Sequence, residues 1–238
     1  MFGNKPETVA AVISIFNEEK YMRNVIDAVL RSGLFDEIIC VDDGSSDGSK
    51  EILKGYRNRI TVISFEENRG KSYAMVAGVR AAVSDIIVFC DADLIGITKD
   101  HLLSLVEPIR QNLADQVLAI RQFDGLPFKN LTGERAYRRK DLLPHLDKME
   151  NKKFGVETYL NEVFSNERTY WIMTKGLMQA GKFDENFVVG YVKEGYEIVL
   201  EALRQKEIIP DKNTRTILRD LRDSYKEYLK RLEKYLRN

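Results

Sequence analysis

The first 93 residues alternate between short apolar runs and helical patterns, and this alternation restricts the fold more than any other feature of the chain. Four apolar runs have the length and composition of strands that are buried on both faces. They are Val9–Ile15, Glu37–Val41, Ile60–Phe65 and Ile86–Asp91. Stretches of helical length separate them. This order predicts an α/β fold with a mostly parallel sheet and helices on both faces.

Local signals set the ends of the elements. Asn17 precedes the first helix and is predicted to cap it, and Gly33 is predicted to end that helix after Ser32. Four further elements are predicted later in the chain: a helix over Thr98–Arg110, a strand over Gln116–Ile120, a last strand over Thr169–Thr174 and a helix over Tyr191–Gln205.

Each of the first four strands stops in a polar cluster. The clusters are Asn17 with Glu18, Asp42 with Asp43, Glu66 to Asn68, and Asp91 with Asp93. Because the carboxyl ends of parallel strands meet at one edge of a sheet, these side chains converge where open α/β sheets bind ligands. A convergent acidic edge is unfavourable unless a cation or a ligand occupies it. We therefore predict a binding site at this edge.

The fourth strand ends in two aspartates separated by one residue, Asp91-Ala92-Asp93. Paired hard oxygen ligands suit Mg²⁺ or Mn²⁺, and such an ion is normally shared with phosphates. An isolated Asp-x-Asp is more often a turn at a strand end. The metal interpretation therefore depends on the strands and polar clusters that surround the pair.

Composition and missing motifs narrow the function classes. The 37 Lys and Arg residues balance 37 Asp and Glu residues, and this zero net charge argues against a dedicated nucleic-acid-binding protein. The dinucleotide fingerprint Gly-x-Gly-x-x-Gly and the P-loop are both absent, so any nucleotide is held by other groups. No signal segment or membrane span is recognisable. We expect a cytoplasmic protein and leave open a peripheral contact with the inner face of a membrane.

Four motifs, in this order, resemble those of family 2 glycosyltransferases with the GT-A fold. The first is Ser14-Ile15-Phe16-Asn17-Glu18-Glu19, similar to the family's Pro-x-x-Asn-Glu start but with serine at the place of proline. The others are Val-Asp-Asp-Gly-Ser-Ser-Asp-Gly-Ser from position 41, Asn68-Arg69-Gly70-Lys71, and Asp91-Ala92-Asp93-Leu94. The resemblance implies a metal-dependent enzyme that transfers a sugar from a nucleotide sugar with inversion.

The resemblance also implies roles for individual residues. Glu18 would contact the ribose, Asp43 the base, and Lys71 the base or a phosphate of a UDP- or GDP-linked sugar. Asp91 and Asp93 would hold the Mg²⁺ or Mn²⁺ ion. Many family members have a histidine near Gln179, and here either the Gln179 amide or water would complete the metal shell. The full implied donor-binding set is Ile15, Asn17, Glu18, Asp43, Lys71, Asp91 and Ala92.

Residues 126–140 are predicted to be irregular and basic, and they contain Thr132-Gly133-Glu134-Arg135. A Thr-Gly turn beside cations suits an anionic acceptor such as a phosphate. A solvated basic helix start explains the same pattern equally well. The resemblance favours Arg135 as the residue that binds the acceptor, and Arg138 or Arg139 after it.

Glu157 lies in the first turn of a later predicted helix. It is either a general base for an acceptor hydroxyl, a role that the resemblance supports, or a carboxylate favoured by the helix N-terminus. With Asp93 and Arg135, Glu157 forms the predicted catalytic set.

The predicted organisation is one GT-A domain over residues 1–210, with a donor half (1–120) and an acceptor half (121–210). Residues 211–238 are predicted to form an amphipathic helix that packs on the domain, mediates a homodimer or lies on an anionic membrane. The predicted function is sugar transfer to an anionic acceptor, with a polyprenyl phosphate favoured. The alternatives are a small hydroxyl acceptor such as a phosphorylated glycerate, and a nucleotide-sugar-binding protein without turnover.

Overall fold

The computed structural model describes residues 6–121, 132–152, 155–164 and 166–180. All of these residues belong to one compact unit that ends at Ala180. The predicted domain boundary after residue 210, the helix over 191–205 and the amphipathic helix over 211–238 lie outside the described residues. They stay predictions, and so does a dimer or a membrane contact through the last helix.

The described elements follow the predicted alternation. In chain order they are β1 (Val9–Ile15), α1 (Met22–Ser32), β2 (Glu37–Asp42), α2 (Ser49–Lys54), β3 (Thr61–Ser64), α3 (Lys71–Ala81), β4 (Ile86–Asp91), β5 (Leu94–Ile95), α4 (Lys99–Arg110), β6 (Gln116–Arg121), β7 (Arg135–Arg138), α5 (Arg139–Leu142), α6 (Leu146–Glu150), α7 (Val156–Val163), β8 (Thr169–Thr174) and β9 (Met178–Gln179). Within the described residues, no helix is both long and apolar enough to span a membrane.

Seven of the described strands form one sheet in the order β3-β2-β1-β4-β7-β6-β8. The strands β3, β2, β1 and β4 are parallel to one another, and β8 is parallel to β6. Among the described strands of this sheet, only β7 runs antiparallel to its two neighbours. The short strands β5 and β9 form a separate antiparallel pair. The predicted mostly parallel sheet is therefore confirmed.

Alternate residues of each central strand enter two different hydrophobic cores. On one face, Ala11 and Ile13 of β1 pack with the apolar sides of α1, α2 and α4. On the other face, Ala10 and Val12 pack with α3, α6 and α7. Gly78 lets α3 approach closely, because a Cβ there would overlap the Val12 side chain. The predicted helices on both faces of the sheet are confirmed.

Three local predictions were wrong. Asn17 does not cap α1, because its backbone is left-handed (φ 57°) and the helix begins five residues later at Met22. The segment predicted to be irregular contains β7, since Arg135–Arg138 pairs with strands on both sides. The strand over Thr169–Thr174 is not the last one, because Met178–Gln179 pairs with Leu94–Ile95.

Candidate functional site

The loops that follow β1 and β2 are joined by reciprocal hydrogen bonds. The Asn17 backbone N–H donates to Ser45 Oγ at 3.0 Å, and the Ser46 N–H donates back to Asn17 Oδ1 at 2.8 Å. The Glu18 N–H donates to Ser49 Oγ at 3.0 Å. The left-handed turn at Asn17 thus serves the contact between the loops, and it fixes Glu18 at the carboxyl edge of the sheet.

Asp43 connects the end of β2 to the loop that begins α3. Its Oδ1 accepts from the Arg69 N–H and its Oδ2 from the Gly70 N–H, both at 2.8 Å. Its own N–H donates to the Ile15 carbonyl oxygen at 2.8 Å. The predicted base-binding carboxylate therefore also holds the loop that presents Lys71, the first residue of α3.

Glu18 after β1 forms one acidic cluster with Asp91 and Asp93 at the end of β4, and Asp47 and Glu134 lie near them. Burial, followed by the charges of Asp91 and Asp47, raises the pKa of Glu18 to about 7. Burial raises the pKa of Asp93 to about 8, and the charges of Asp91, Glu18 and Glu134 add to that effect. Several carboxylates that raise one another's pKa form a site of negative potential, where a cation is strongly favoured.

Lys71 places a positive charge in this cluster. Its Nζ lies 2.9 Å from Asp91 Oδ1 and 3.1 Å from Glu157 Oε1. Burial lowers the pKa of Lys71, but the charges of Asp91 and Glu157 outweigh that effect and hold the pKa above its usual range. Glu157 is buried in the first turn of α7. One ammonium thus joins the predicted metal site to the predicted acceptor side.

Gly133, part of the turn that was predicted to hold an anionic acceptor, lies instead against the Asp91 carboxylate. In the pairing of β4 with β7, Phe89 lies opposite Arg135. Continuing this register by two residues places Gly133 beside Asp91. A Cβ at Gly133 would overlap both carboxylate oxygens of Asp91. A residue with a Cβ at this position would therefore displace the Asp91 carboxylate from the place that it has here.

Arg135 is fully buried, at 0% exposure, behind the acidic cluster. Its Nε donates to the Thr132 carbonyl oxygen at 2.6 Å. Its Nη1 donates to the Glu157 carbonyl oxygen at 3.3 Å and to Asn161 Oδ1 at 3.2 Å. These bonds tie the turn before β7 to the helix that carries Glu157. The structure therefore gives Arg135 contacts that position Glu157.

Arg138 and Arg139 lie at the opposite end of the sheet from the acidic cluster. Arg138 pairs with Ile86, the first residue of β4, whereas Asp91 is the last, about 17 Å further along the strand at 3.3 Å per residue. The Arg138 guanidinium donates to the Ile109 carbonyl oxygen at 2.6 and 2.9 Å. The structure does not bring these two arginines to the candidate site.

The donor set of the site fits a hard divalent cation. The Gln179 side chain hydrogen-bonds to the Asp93 carboxylate, and the Ala180 N–H donates to the Asp93 carbonyl oxygen at 2.7 Å. No group of three or more His, Cys, Asp or Glu side chains among the described residues is arranged to hold a metal by itself. Asp91, Asp93 and the Gln179 amide would offer oxygen ligands to such an ion, and phosphates and water commonly complete the shell around Mg²⁺.

Two members of the implied donor-binding set are buried beneath this surface. Ile15 is 1% exposed and Ala92 is 3% exposed. The side chains of Ile15 and Ala92 pack in the hydrophobic core, so only the backbone of these two residues is available at the edge of the sheet.

The family model described as Glycosyl transferase family 2 matches residues 10–180. This chain belongs to glycosyl transferase family 2. The predicted family is thereby confirmed, and the matched residues include the acidic cluster, Lys71, Glu157 and Gln179.

Curated relatives of this family 2 chain match it in part. The 4,4'-diaponeurosporenoate glycosyltransferase of Staphylococcus haemolyticus is 30% identical over 128 residues, which cover 52% of this chain and 32% of the relative. The UDP-N-acetylglucosamine–dolichyl-phosphate N-acetylglucosaminyltransferase of Methanococcus voltae is 30% identical over 138 residues, which cover 50% of this chain and 54% of the relative. The chain thus spans about a third to a half of the length of these two relatives.

A solved structure supports the fold of this family 2 chain. Glucosyl-3-phosphoglycerate synthase from Mycobacterium tuberculosis, in complex with Mn²⁺, UDP and glucosyl-3-phosphoglycerate, aligns with a TM-score of 0.67 and 21% identity. The alignment covers 87% of this chain and 82% of that chain. The predicted GT-A fold is confirmed.

Proposed function

We propose that this family 2 glycosyltransferase is a metal-dependent, inverting enzyme that moves a sugar from a UDP- or GDP-linked donor to an anionic acceptor. The observation that carries the proposal is the convergence of Glu18, Asp91 and Asp93 at the carboxyl edge of a parallel sheet. A nucleoside diphosphate and a divalent cation are complementary in charge and donor type to such an edge.

In this proposal, each residue of the site has a separate role in binding or catalysis. Glu18 and Asp43 hold the nucleoside, and Asp91, Asp93 and Gln179 hold the ion. A bound Mg²⁺ or Mn²⁺ would offset the negative charge that develops on the departing diphosphate. Gly133 leaves room for the Asp91 carboxylate, and Arg135 donates to the carbonyl oxygen of Glu157 in the first turn of α7.

We favour a polyprenyl phosphate as the acceptor. Support comes from the dolichyl-phosphate transferase among the relatives. A phosphate oxygen attacks the sugar without losing a proton at neutral pH, so this acceptor needs no general base. Glu157 would then orient groups at the site through its contact with Lys71.

A phosphorylated hydroxyl acceptor such as 3-phosphoglycerate is the second candidate. One observation favours it: the Glu157 carboxylate shares the Lys71 ammonium with Asp91, so a base lies beside the donor site. The similar solved structure contains a glucosylated phosphoglycerate, which agrees with this candidate. A hydroxyl acceptor makes Glu157 a general base, a role that typically contributes a factor of about 10²–10⁴ to the rate.

The test is release of UDP or GDP from a panel of sugar nucleotides, with undecaprenyl phosphate in detergent or with 3-phosphoglycerate, in Mn²⁺ or in EDTA. With the phosphate acceptor, Glu157→Gln keeps its rate within about tenfold of wild type. With the hydroxyl acceptor, its rate falls by at least about a hundredfold. Glu162→Gln, an exposed change on the same helix, is the matched control. Nucleotide binding without release under any condition would refute the proposal and favour a binding protein.

A further inference from the structure

The Lys71 ammonium contacts Asp91, and from this position it would repel a second cation that binds to the same carboxylate. Its Nζ lies 2.9 Å from Asp91 Oδ1, and its contact with Glu157 Oε1 holds it there from the other side. Asp91 and Glu157 are both largely buried, with side-chain exposures of 14% and 8%. Like charges a few ångströms apart in a partly buried site repel strongly. A divalent ion that binds at Asp91 alone therefore meets an unfavourable neighbour.

Lys71 also has the means to leave this position. It is the first residue of α3 and follows Gly70, and its side chain is 30% exposed. The lysine ammonium is a compact charge on a flexible four-carbon stem, and it binds phosphate well as a point charge. The N-terminus of α3, which is 11 residues long, is itself a favourable position for an anion. A diphosphate arriving with the metal would offer the ammonium a new partner.

We propose that Lys71 is a tethered counter-ion that makes metal and nucleotide binding depend on each other. Without ligands its ammonium holds Asp91 and Glu157 together. When a metal–nucleoside diphosphate complex binds, the ammonium passes to the diphosphate, and Asp91 becomes a metal ligand. The same movement frees Glu157 on the acceptor side only after the donor is loaded. This inference rests on the proposed function, since it assumes a metal-bound nucleoside diphosphate at this edge.

The inference is tested by the affinity for Mn²⁺, measured from the EPR signal of the free ion, with and without saturating UDP or GDP. In the wild type, we expect the nucleotide to tighten Mn²⁺ binding strongly. Lys71→Met removes the opposing charge, so it binds Mn²⁺ alone about tenfold more tightly than wild type. Lys71→Met also loses the contact with the diphosphate. The factor by which UDP or GDP increases the affinity for Mn²⁺ is therefore about a hundredfold smaller in Lys71→Met than in wild type.

Two further variants separate this effect from simpler causes. Lys71→Arg keeps a positive charge at the position, and it retains the mutual tightening of Mn²⁺ and nucleotide to within about tenfold of wild type. Lys54→Met removes the same charge from an exposed site on α2, and it leaves both Mn²⁺ affinities unchanged. Circular dichroism spectra of all variants verify that they fold.

The possible results distinguish the inference from the proposed function. If Lys71→Met binds Mn²⁺ alone no more tightly than wild type, or keeps the full tightening by nucleotide, Lys71 is not a counter-ion of this kind, while the proposed function stands. If the wild type binds no Mn²⁺ even with UDP or GDP, the proposed function and the inference both fail.

Discussion

Replacing Asp93 by asparagine is expected to stabilise the metal-free protein, and to do so more as the pH rises. The pKa of Asp93 is raised from its ordinary 3.8 to about 8, first by burial and then by the charge of Asp91. The unfolded chain releases this proton near pH 4, whereas the folded chain keeps it until about pH 8. The raised pKa therefore favours the folded state at low pH, and this advantage is lost as the pH rises toward 8.

The size of the effect follows from the same pKa shift. One group shifted in this way lowers the free energy of unfolding by up to about 1.4 kcal/mol per pH unit between its two pKa values. Water and the Lys71 ammonium relax around the cluster, so we expect about half of that limit. The free energy of unfolding of Asp93→Asn, relative to that of wild type, then increases by about 2 kcal/mol between pH 5 and pH 8. This corresponds to about 4–8 °C in melting temperature.

The assay is thermal or urea unfolding in EDTA at pH 5, 6, 7 and 8. Asp115→Asn is the matched control, since it makes the same chemical change in a surface pair with Arg168. The difference in stability between Asp115→Asn and wild type stays constant from pH 5 to pH 8. In a second arm, Mn²⁺ with UDP or GDP raises the melting temperature of wild type but not of Asp93→Asn. A variant that is less stable than wild type at pH 8, or whose difference does not change with pH, would refute the reasoning.

Two substitutions of glycine test the close approaches that shape the site. Gly133→Ala places a methyl group against the Asp91 carboxylate; it is expected to lower the affinity for Mn²⁺ with nucleotide at least about tenfold by calorimetry. Gly55→Ala, at the end of α2, would bring a Cβ near only the Ile52 carbonyl oxygen, at 3.3 Å, and leaves that affinity unchanged. Equal affinities in the two variants would contradict the prediction. Gly44→Ala combines a φ of 74° with overlap of the backbone at Glu67 and Asn68, whereas Gly33→Ala has a φ of 64° and nothing within 4 Å. Urea unfolding is expected to show a loss of stability at least about 1 kcal/mol larger for Gly44→Ala, and equal losses would contradict this expectation.

The donor half was predictable because its signals are local. Each strand there is an apolar run of a few residues, and each is followed directly by its polar cluster, as in Ile86–Asp91 with Asp93. Parallel pairing then brings the clusters together without any further information. The convergence of Glu18, Asp91 and Asp93 could therefore be deduced from the order of elements alone.

The part of the site beyond β6 could not be read from the sequence in this way. Arg135–Arg138 contains three charged or polar side chains in four residues, so its pattern does not indicate a strand buried between two others. Its place depends on pairing with β4, which is distant in the chain. The place of Gly133 against Asp91 and the bond from Arg135 to the Glu157 carbonyl oxygen both depend on that pairing. The local motif Thr132-Gly133-Glu134-Arg135 indicates these residues but not their neighbours.

The most direct measurement is an anomalous diffraction map at the manganese edge, from crystals grown with MnCl₂ and UDP or GDP. We predict one strong peak within bonding distance of the Asp93 carboxylate, about 2.0–2.6 Å, shared with the diphosphate and Asp91, and with Lys71 Nζ moved to a phosphate oxygen. Nucleotide bound at this edge without a metal peak, or a peak away from Asp91 and Asp93, would contradict a metal-dependent transferase at this site.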